Sequence, residues 1–163
     1  MNINTINKHM FNSLIYVTYW LTKNKLRNFI GKPILRCLGG ITLFVKKGDK
    51  KEPIEDIANE WQQMFPSKKM VPIVRVAAGT AFAEIRSTCP YRGSGNVEGC
   101  YRMMEYDRKM METIGADFVV LRSQAEPGVE YCLIAMTKEH QNREDLTPAH
   151  IRVKNNFKIG KQS

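Results

Sequence analysis

No Cys-x-x-Cys pair occurs in this chain, no glycine-rich loop ends in Gly-Lys-Ser or Gly-Lys-Thr, and no apolar run of membrane-spanning length is uninterrupted. The missing close cysteine pair removes the strongest sequence signature of a zinc site. The missing Lys-Ser/Thr ending removes a Walker-type phosphate loop. Phe11 to Leu21 is apolar but shorter than the roughly 20 residues a spanning helix needs, and no small-residue cleavage site follows it. Ile30 to Val45 is interrupted by Lys32, Pro33 and Arg36, so neither stretch is expected to span a membrane. Histidine is scarce: His9, His140 and His150 lie outside the expected core, which leaves a Cys-His dyad unsupported.

Acids are nearly absent from the first third. Residues 1–51 carry ten Lys and Arg against one acid, Asp49, whereas residues 52–163 carry fifteen of each sign. The neutral remainder offers no basic face for nucleic acid. The excess belongs to a basic, apolar N-terminal arm, expected to be helical. Such an arm suits an anionic membrane surface or a partner's groove, or it packs as a helix with a solvated basic face.

What is present is enough for one globular domain. At 163 residues, 43% hydrophobic and 25% charged, the chain buries a real core. Cys37, Cys89, Cys100 and Cys132 read as reduced thiols rather than a disulfide framework, which points to a cytoplasmic location. Three regions are expected: the arm over 1–51, an α+β domain over 52–137 and a polar, disordered tail over 138–163. The Gly39-Gly40 pair is expected to break any helix in the arm, and Lys46 to Pro53 reads as a charged linker.

Ile54, Ile57, Ala58, Trp61, Met64 and Phe65 follow the helical period, with Glu55 and Asp56 suited to the positive end of a helix dipole. Val71 to Ala77 and Ala81 to Arg86, separated by Ala78-Gly79-Thr80, predict a hairpin. After a glycine-rich loop, Asn96 caps a helix from Val97 to about Ile114, closed by Gly115. Phe118 to Leu121 and Glu130 to Met136 predict a second hairpin. The expected fold is therefore a small antiparallel sheet of two hairpins flanking a central helix, with additional N-terminal helices.

The central helix presents a stripe of Val97, Cys100, Met104, Asp107, Met111 and Ile114, in which Asp107 is the exception. A buried carboxylate needs a partner, a proton or a ligand; Arg92, Arg102 and Arg122 are the candidate ion-pair partners. Cys100 sits in the first turn, where the helix dipole favours a thiolate. Seven residues separate it from Asp107, about 10 Å along the axis, so the two act together only through something between them. The loop Cys89 to Asn96, with Arg92, Gly93 and Gly95, is a candidate anion cradle or a plain turn. Cys132 alone reads as a core cysteine. Convergence of Cys89, Cys100 and Cys132, or of two of them with Asp107, is the arrangement that would hold zinc. Glu84, Glu105 and Glu126 are further candidates for acid or base duty, and the Met103, Met104, Met110, Met111 run reads as core filling.

The succession Cys89-Pro90, Cys100, Asp107, then Ala125-Glu126-Pro127-Gly128 and Cys132, resembles the L-2-amino-thiazoline-4-carboxylic acid hydrolase family, best over residues 84–136. More distantly, the closing hairpin resembles 4-vinyl reductase-like small-molecule binding domains with cysteine-bound zinc; Gln124 and Ala125 stand where those domains would place a further cysteine. The resemblance implies hydrolytic opening of a small cyclic amidine or thiazoline acid by water attack at the C=N carbon. In that reading Asp107 is the base or amidinium partner, Cys89 or Cys100 a nucleophile, and Cys132 part of the same site. Arg92, Gly93, Gly95 and Tyr101 would bind the substrate, whose carboxylate Arg92 and the helix N-terminus hold. A non-catalytic module of the same fold, binding a small molecule or a metal, is the alternative.

Overall fold

The structure is a computed structural model that describes residues 3–48, 50–138 and 145–159. These form an α+β fold in the chain order α1 (Ile3–Thr22), α2 (Lys25–Lys46), α3 (Ile54–Gln63), β1 (Ile73–Ala77), β2 (Thr80–Ile85), α4 (Val97–Met103), α5 (Glu105–Ile114), β3 (Ala116–Arg122), β4 (Cys132–Lys138) and α6 (Ala149–Ile159). The four strands make one antiparallel sheet in the order β1-β2-β4-β3. Two hairpins thus meet through β2 and β4, with the helical segment between them in sequence.

Each hairpin follows from local chemistry. Ala78 and Gly79 both have positive φ, 49° and 70°, as a tight two-residue turn between right-twisted strands requires. Pro72 supplies no N–H, so β1 begins at Ile73 rather than at Val71, and its pairing with β2 becomes regular after a bulge between Ile73 and Arg75. Gly115, at φ 92°, ends α5 and lets β3 start at the next residue. Cross-strand rows Ala81–Met136–Phe118 and Ala83–Ile134–Val120 are buried side by side. The small alanines of β2 leave room for α3, whose fully buried Trp61 lies 6.0 Å from the Phe118 ring and 4.9 Å from that of Phe65.

The expected single helix from Val97 to Ile114 is two helices, broken at Met104 (ψ 4°) without a proline or glycine. Different packing partners account for the bend. Arg102 donates from Nε to the Thr22 carbonyl at 2.9 Å, drawing α4 toward the end of α1, while Tyr106 donates to Thr42 Oγ1 at 2.8 Å and draws α5 toward α2.

The Gly39-Gly40 pair does not break its helix. α2 runs through it, as it runs through Pro33, because Gly39 is the point of closest approach to α5. A Cβ at Gly39 would lie 2.7 Å from the Tyr106 carbonyl oxygen, whereas one at Gly40 would meet nothing within 4 Å. Continuous over 22 residues, α2 is by length and composition apolar enough to cross a membrane, contrary to the reading of Ile30 to Val45 as an interrupted stretch.

The tail is not disordered where it is described. β4 extends to Lys138, and α6 follows Pro148, whose carbonyl accepts from Ile151 and Arg152 N–H at 3.0 Å each. Residues 139–144 and 160–163 lie outside the described residues. α6 is anchored by the buried Ala149, by the partly buried Val153 packed on the core, and by Arg152, which donates to the Glu126 carboxylate at 2.9 Å and to the Leu121 carbonyl at 3.2 Å. So few apolar anchors leave almost no helical period in the sequence.

Gly39→Ala is expected to destabilise the fold by about 1–3 kcal/mol, since backbone must move to admit the methyl group. Gly40→Ala is expected to be neutral or to stabilise by up to about 1 kcal/mol through helix propensity. Urea unfolding of the two variants beside the parent separates close packing from glycine's intrinsic cost.

Candidate functional site

Three of the four thiols are buried and close to one another. Cys100, in the first turn of α4, contacts both the Cys132 thiol of β4 and the Ser123 side chain that follows β3. Cys132 Sγ accepts the Gln124 N–H at 3.3 Å, and Cys89 Sγ accepts the Tyr91 N–H at 3.5 Å. Among the described residues, no three His, Cys, Asp or Glu side chains are placed to hold a metal ion. The zinc arrangement weighed for Cys89, Cys100 and Cys132 therefore does not assemble: two of the sulfurs face backbone donors, and Asp107 lies in a different cleft.

Gln124 organises this region. Its fully buried amide accepts at Oε1 from Cys89 N–H (3.3 Å) and Arg92 Nε (3.0 Å), and donates from Nε2 to the Ile85 and Ser87 carbonyls (2.9 Å each). Every polar atom of the amide is thus paired. The residue standing in place of an expected cysteine is a clamp between the Cys89 loop and the end of β2.

The electrostatics of the thiols oppose the thiolate reading. Burial pushes the Cys89 thiol up to about 11. The Cys132 thiol and burial together raise Cys100 well above the ordinary range, outweighing the Ser123 hydrogen bond and the positive charge of Arg108. A helix dipole in the first turn is too small to reverse this desolvation.

A cleft of about 230 Å³ opens between α4, α5, β3 and α6, and Cys100, Tyr101, Arg108, Ser123 and His150 are among its walls. The His150 ring stacks on Tyr101 at 3.7 Å, and the Arg108 guanidinium lies 4.1 Å from the same ring. Arg108 is held by Glu105 Oε1 (2.9 Å) and the Tyr101 carbonyl (2.6 Å). Burial lowers the His150 pKa, which keeps the imidazole neutral near pH 7. The sequence reading set His150 aside with the tail; α6 brings it into the same cleft as Cys100.

Asp107 faces elsewhere. With Ile15, Thr18, Phe65, Ile85 and Tyr106 it lines an apolar cleft of about 90 Å³ between α1 and α5. None of the three arginines proposed for it is its partner: Arg92 bonds Gln124 and the Glu130 carbonyl, Arg102 bonds α1, and Arg122 lies over Tyr131. Asp107 Oδ1 instead accepts from Trp61 Nε1 at 3.1 Å. Burial lifts its carboxyl to about 6, with the Trp61 bond and the Arg108 charge acting the other way.

The remaining residues read from the sequence disperse. Gly93 and Gly95 donate their N–H groups to the Gln124 and Ala125 carbonyls, at 2.8 Å each, so the loop is a turn whose donors are taken rather than an anion cradle. Arg92 borders a separate concavity with Glu84, Arg86, Glu130 and Tyr131. Glu84 pairs with Arg86, Glu105 with Arg108 and Arg36, and Glu126 with Arg152, which leaves none of them poised as a base. Tyr101 and Cys100 share the His150 cleft, where Arg108, Ser123 and His150 were not anticipated from the sequence. No local motif marks them, because three separate segments supply them.

The Asp107 shift has a definite sign in stability. Its folded pKa, about 6, is raised above the ordinary aspartate value of 3.8, so the folded state binds the proton more tightly. The stabilisation is complete below about pH 4 and is lost as pH rises through about 6, a difference of roughly 3 kcal/mol. Asp107→Asn, which keeps an oxygen for Trp61, is expected to be more stable than the parent at pH 7 and to flatten the pH dependence between 4 and 6 in denaturant titrations.

Thiol labelling of the native protein at pH 8 is expected to modify the exposed Cys37 first. Cys89, Cys100 and Cys132 are expected to react at least about 100-fold more slowly, at a rate set by opening of the fold. Mass spectrometry of the labelled peptides reads this order.

No protein-family model matches the chain, and neither a curated protein nor a solved structure matches it significantly.

Proposed function

We propose that the chain is a hydrolase that opens a small cyclic amidine or thiazoline carboxylic acid, of the L-2-amino-thiazoline-4-carboxylate kind, by attack of water on the C=N carbon. The observation that carries this reading is the convergence of Arg108, Ser123, Cys100 and a neutral His150 around one cleft of about 230 Å³. That volume suits a five-membered ring bearing a carboxylate. Arg108 supplies the positive charge for the carboxylate, and Val97, Phe118 and Val120 offer an apolar wall to the heterocycle.

In this mechanism His150 takes a proton from the attacking water, and the imidazolium returns it to the departing ring atom. One water is added, one ring C–N or C–S bond breaks, and no covalent enzyme intermediate is formed. The base role expected of Asp107 thereby passes to His150, and water stands in place of the thiolate nucleophile expected of Cys89 or Cys100. Cys100 and Ser123 act as short polar wall residues. Asp107, in its own cleft, is assigned to the fold rather than to the chemistry. A non-catalytic small-molecule binding module is the second reading, favoured by the raised thiols and by the pairing of Arg108 with Glu105.

The test is incubation with L-2-amino-thiazoline-4-carboxylate, following substrate loss and the ring-opened product by mass. His150→Gln is expected to lower kcat by about 10²–10⁴-fold. Because burial lowers the His150 pKa, the parent's activity should persist as pH falls past the ordinary histidine value of about 6.5 and be lost only below it. Saturable binding without turnover would establish the binding module instead. Turnover untouched by His150→Gln would remove the mechanism.

A further inference from the structure

Among the described residues, an extended exposed apolar surface lies on α2, away from both clefts. Its inner face is the row Gly31, Leu35, Gly39 and Leu43, buried against the neighbouring helices. Its outer face is apolar as well: Leu26, Phe29, Ile30, Ile34, Ile41 and Phe44 recur every three to four or seven residues, and Leu26, Phe29 and Phe44 are 84–86% exposed. This ridge runs roughly 30 Å along the helix at 1.5 Å per residue. On α1, Tyr16, Val17 and Trp20 form a second exposed stripe, joined to α2 where the Arg27 guanidinium lies 4.4 Å from the Trp20 ring. So much contiguous apolar surface marks an interaction site.

Charge identifies what covers it. Lys23, Lys25 and Arg27 stand at one end of the ridge and Lys47, Lys50 and Lys51 follow its other end, in a segment of ten basic residues and one acid, while Lys46 donates to the Gln63 carbonyl of α3 at 3.3 Å. We propose that the α1–α2 face docks on an anionic lipid bilayer, with the ridge entering the acyl boundary and the lysines meeting the headgroups. Trp20 and Tyr16 are the ring types that settle at that depth. A second copy of this chain is disfavoured as the occupant, because apposing two such segments would bring their positive charge together.

The helix lies on the bilayer rather than across it. Its opposite side is fastened to α5: Arg36 pairs with Glu112 at 2.7 Å, Tyr106 bonds Thr42 at 2.8 Å, and Gly39 packs on the Tyr106 backbone. Spanning would strip α2 from these partners, whereas docking by the outer face breaks none of them. The inference is independent of the chemistry assigned to the His150 cleft.

The test is sedimentation of the full-length protein with vesicles of phosphatidylcholine alone or with about one-third phosphatidylserine. Binding to the anionic vesicles is expected to be at least about tenfold stronger and to weaken sharply when salt rises from about 0.1 to 0.5 M. Trp20 should report insertion by a blue shift, because the other tryptophan, Trp61, is already fully buried. Phe29→Glu with Phe44→Glu, and separately Lys23→Gln with Lys25→Gln, should abolish or weaken binding while leaving the thermal melt unchanged, since these side chains point outward. Equal binding to neutral and anionic vesicles, no binding to either, or self-association of the parent that Phe29→Glu and Phe44→Glu abolish would overturn the proposal.

Discussion

One buried amide governs how the cysteine-bearing segments meet. Gln124 has no solvent contact, and its two donors and its acceptor oxygen are all paired. Through it the residue after Ser123 is tied to the end of β2 and to the first backbone N–H of the Cys89 loop. The neighbouring Gln124 N–H orients the Cys132 sulfur, and its carbonyl receives Gly93. Loss of any partner would strand a polar group in a water-free place, at a cost of about 1–3 kcal/mol. The loop therefore has one conformation, and the glycines within it serve the turn rather than a ligand.

Two clefts with opposite character flank this clamp. The larger holds a cation, an imidazole and two small polar groups. The smaller is apolar around one carboxyl that stays partly protonated near neutral pH. Cys100 and Asp107, neighbours on one expected helix stripe, open into different clefts because the helix bends at Met104 and each half follows its own partner. A stripe read at fixed spacing assumes a straight helix; tertiary packing bent this one.

The strongly periodic parts were legible. The α+β class, the antiparallel sheet of two hairpins, the Asn96 cap and the Gly115 stop follow from alternation, turn residues and caps, which are local properties. The Gly39-Gly40 reading failed because glycine has two uses, breaking a helix and letting two helices touch, and only the partner decides between them. α6 was missed because an ion pair, a ring stack and only two core-facing apolar residues, Ala149 and Val153, hold it. Of the residues lining the His150 cleft, Cys100 was singled out through its helix and Tyr101 through the resemblance, whereas His150, Arg108 and Ser123 carry no signal until the chain is folded. The buried thiols illustrate a related limit: the helix dipole is visible in sequence, but the desolvation that overrides it is not.

α6 supplies one whole wall of the larger cleft, and it is held there by Arg152 on Glu126 and His150 on Tyr101. The other walls belong to residues 97–123, which leave the ribosome earlier. While the chain is being made, the sheet and the α4–α5 helices can pack before residues 149–159 have emerged, and until then the groove beside Cys100 is an open trench. The order of synthesis thus separates assembly of the core from completion of the pocket, so a nascent chain whose core is already folded still lacks the wall that carries His150.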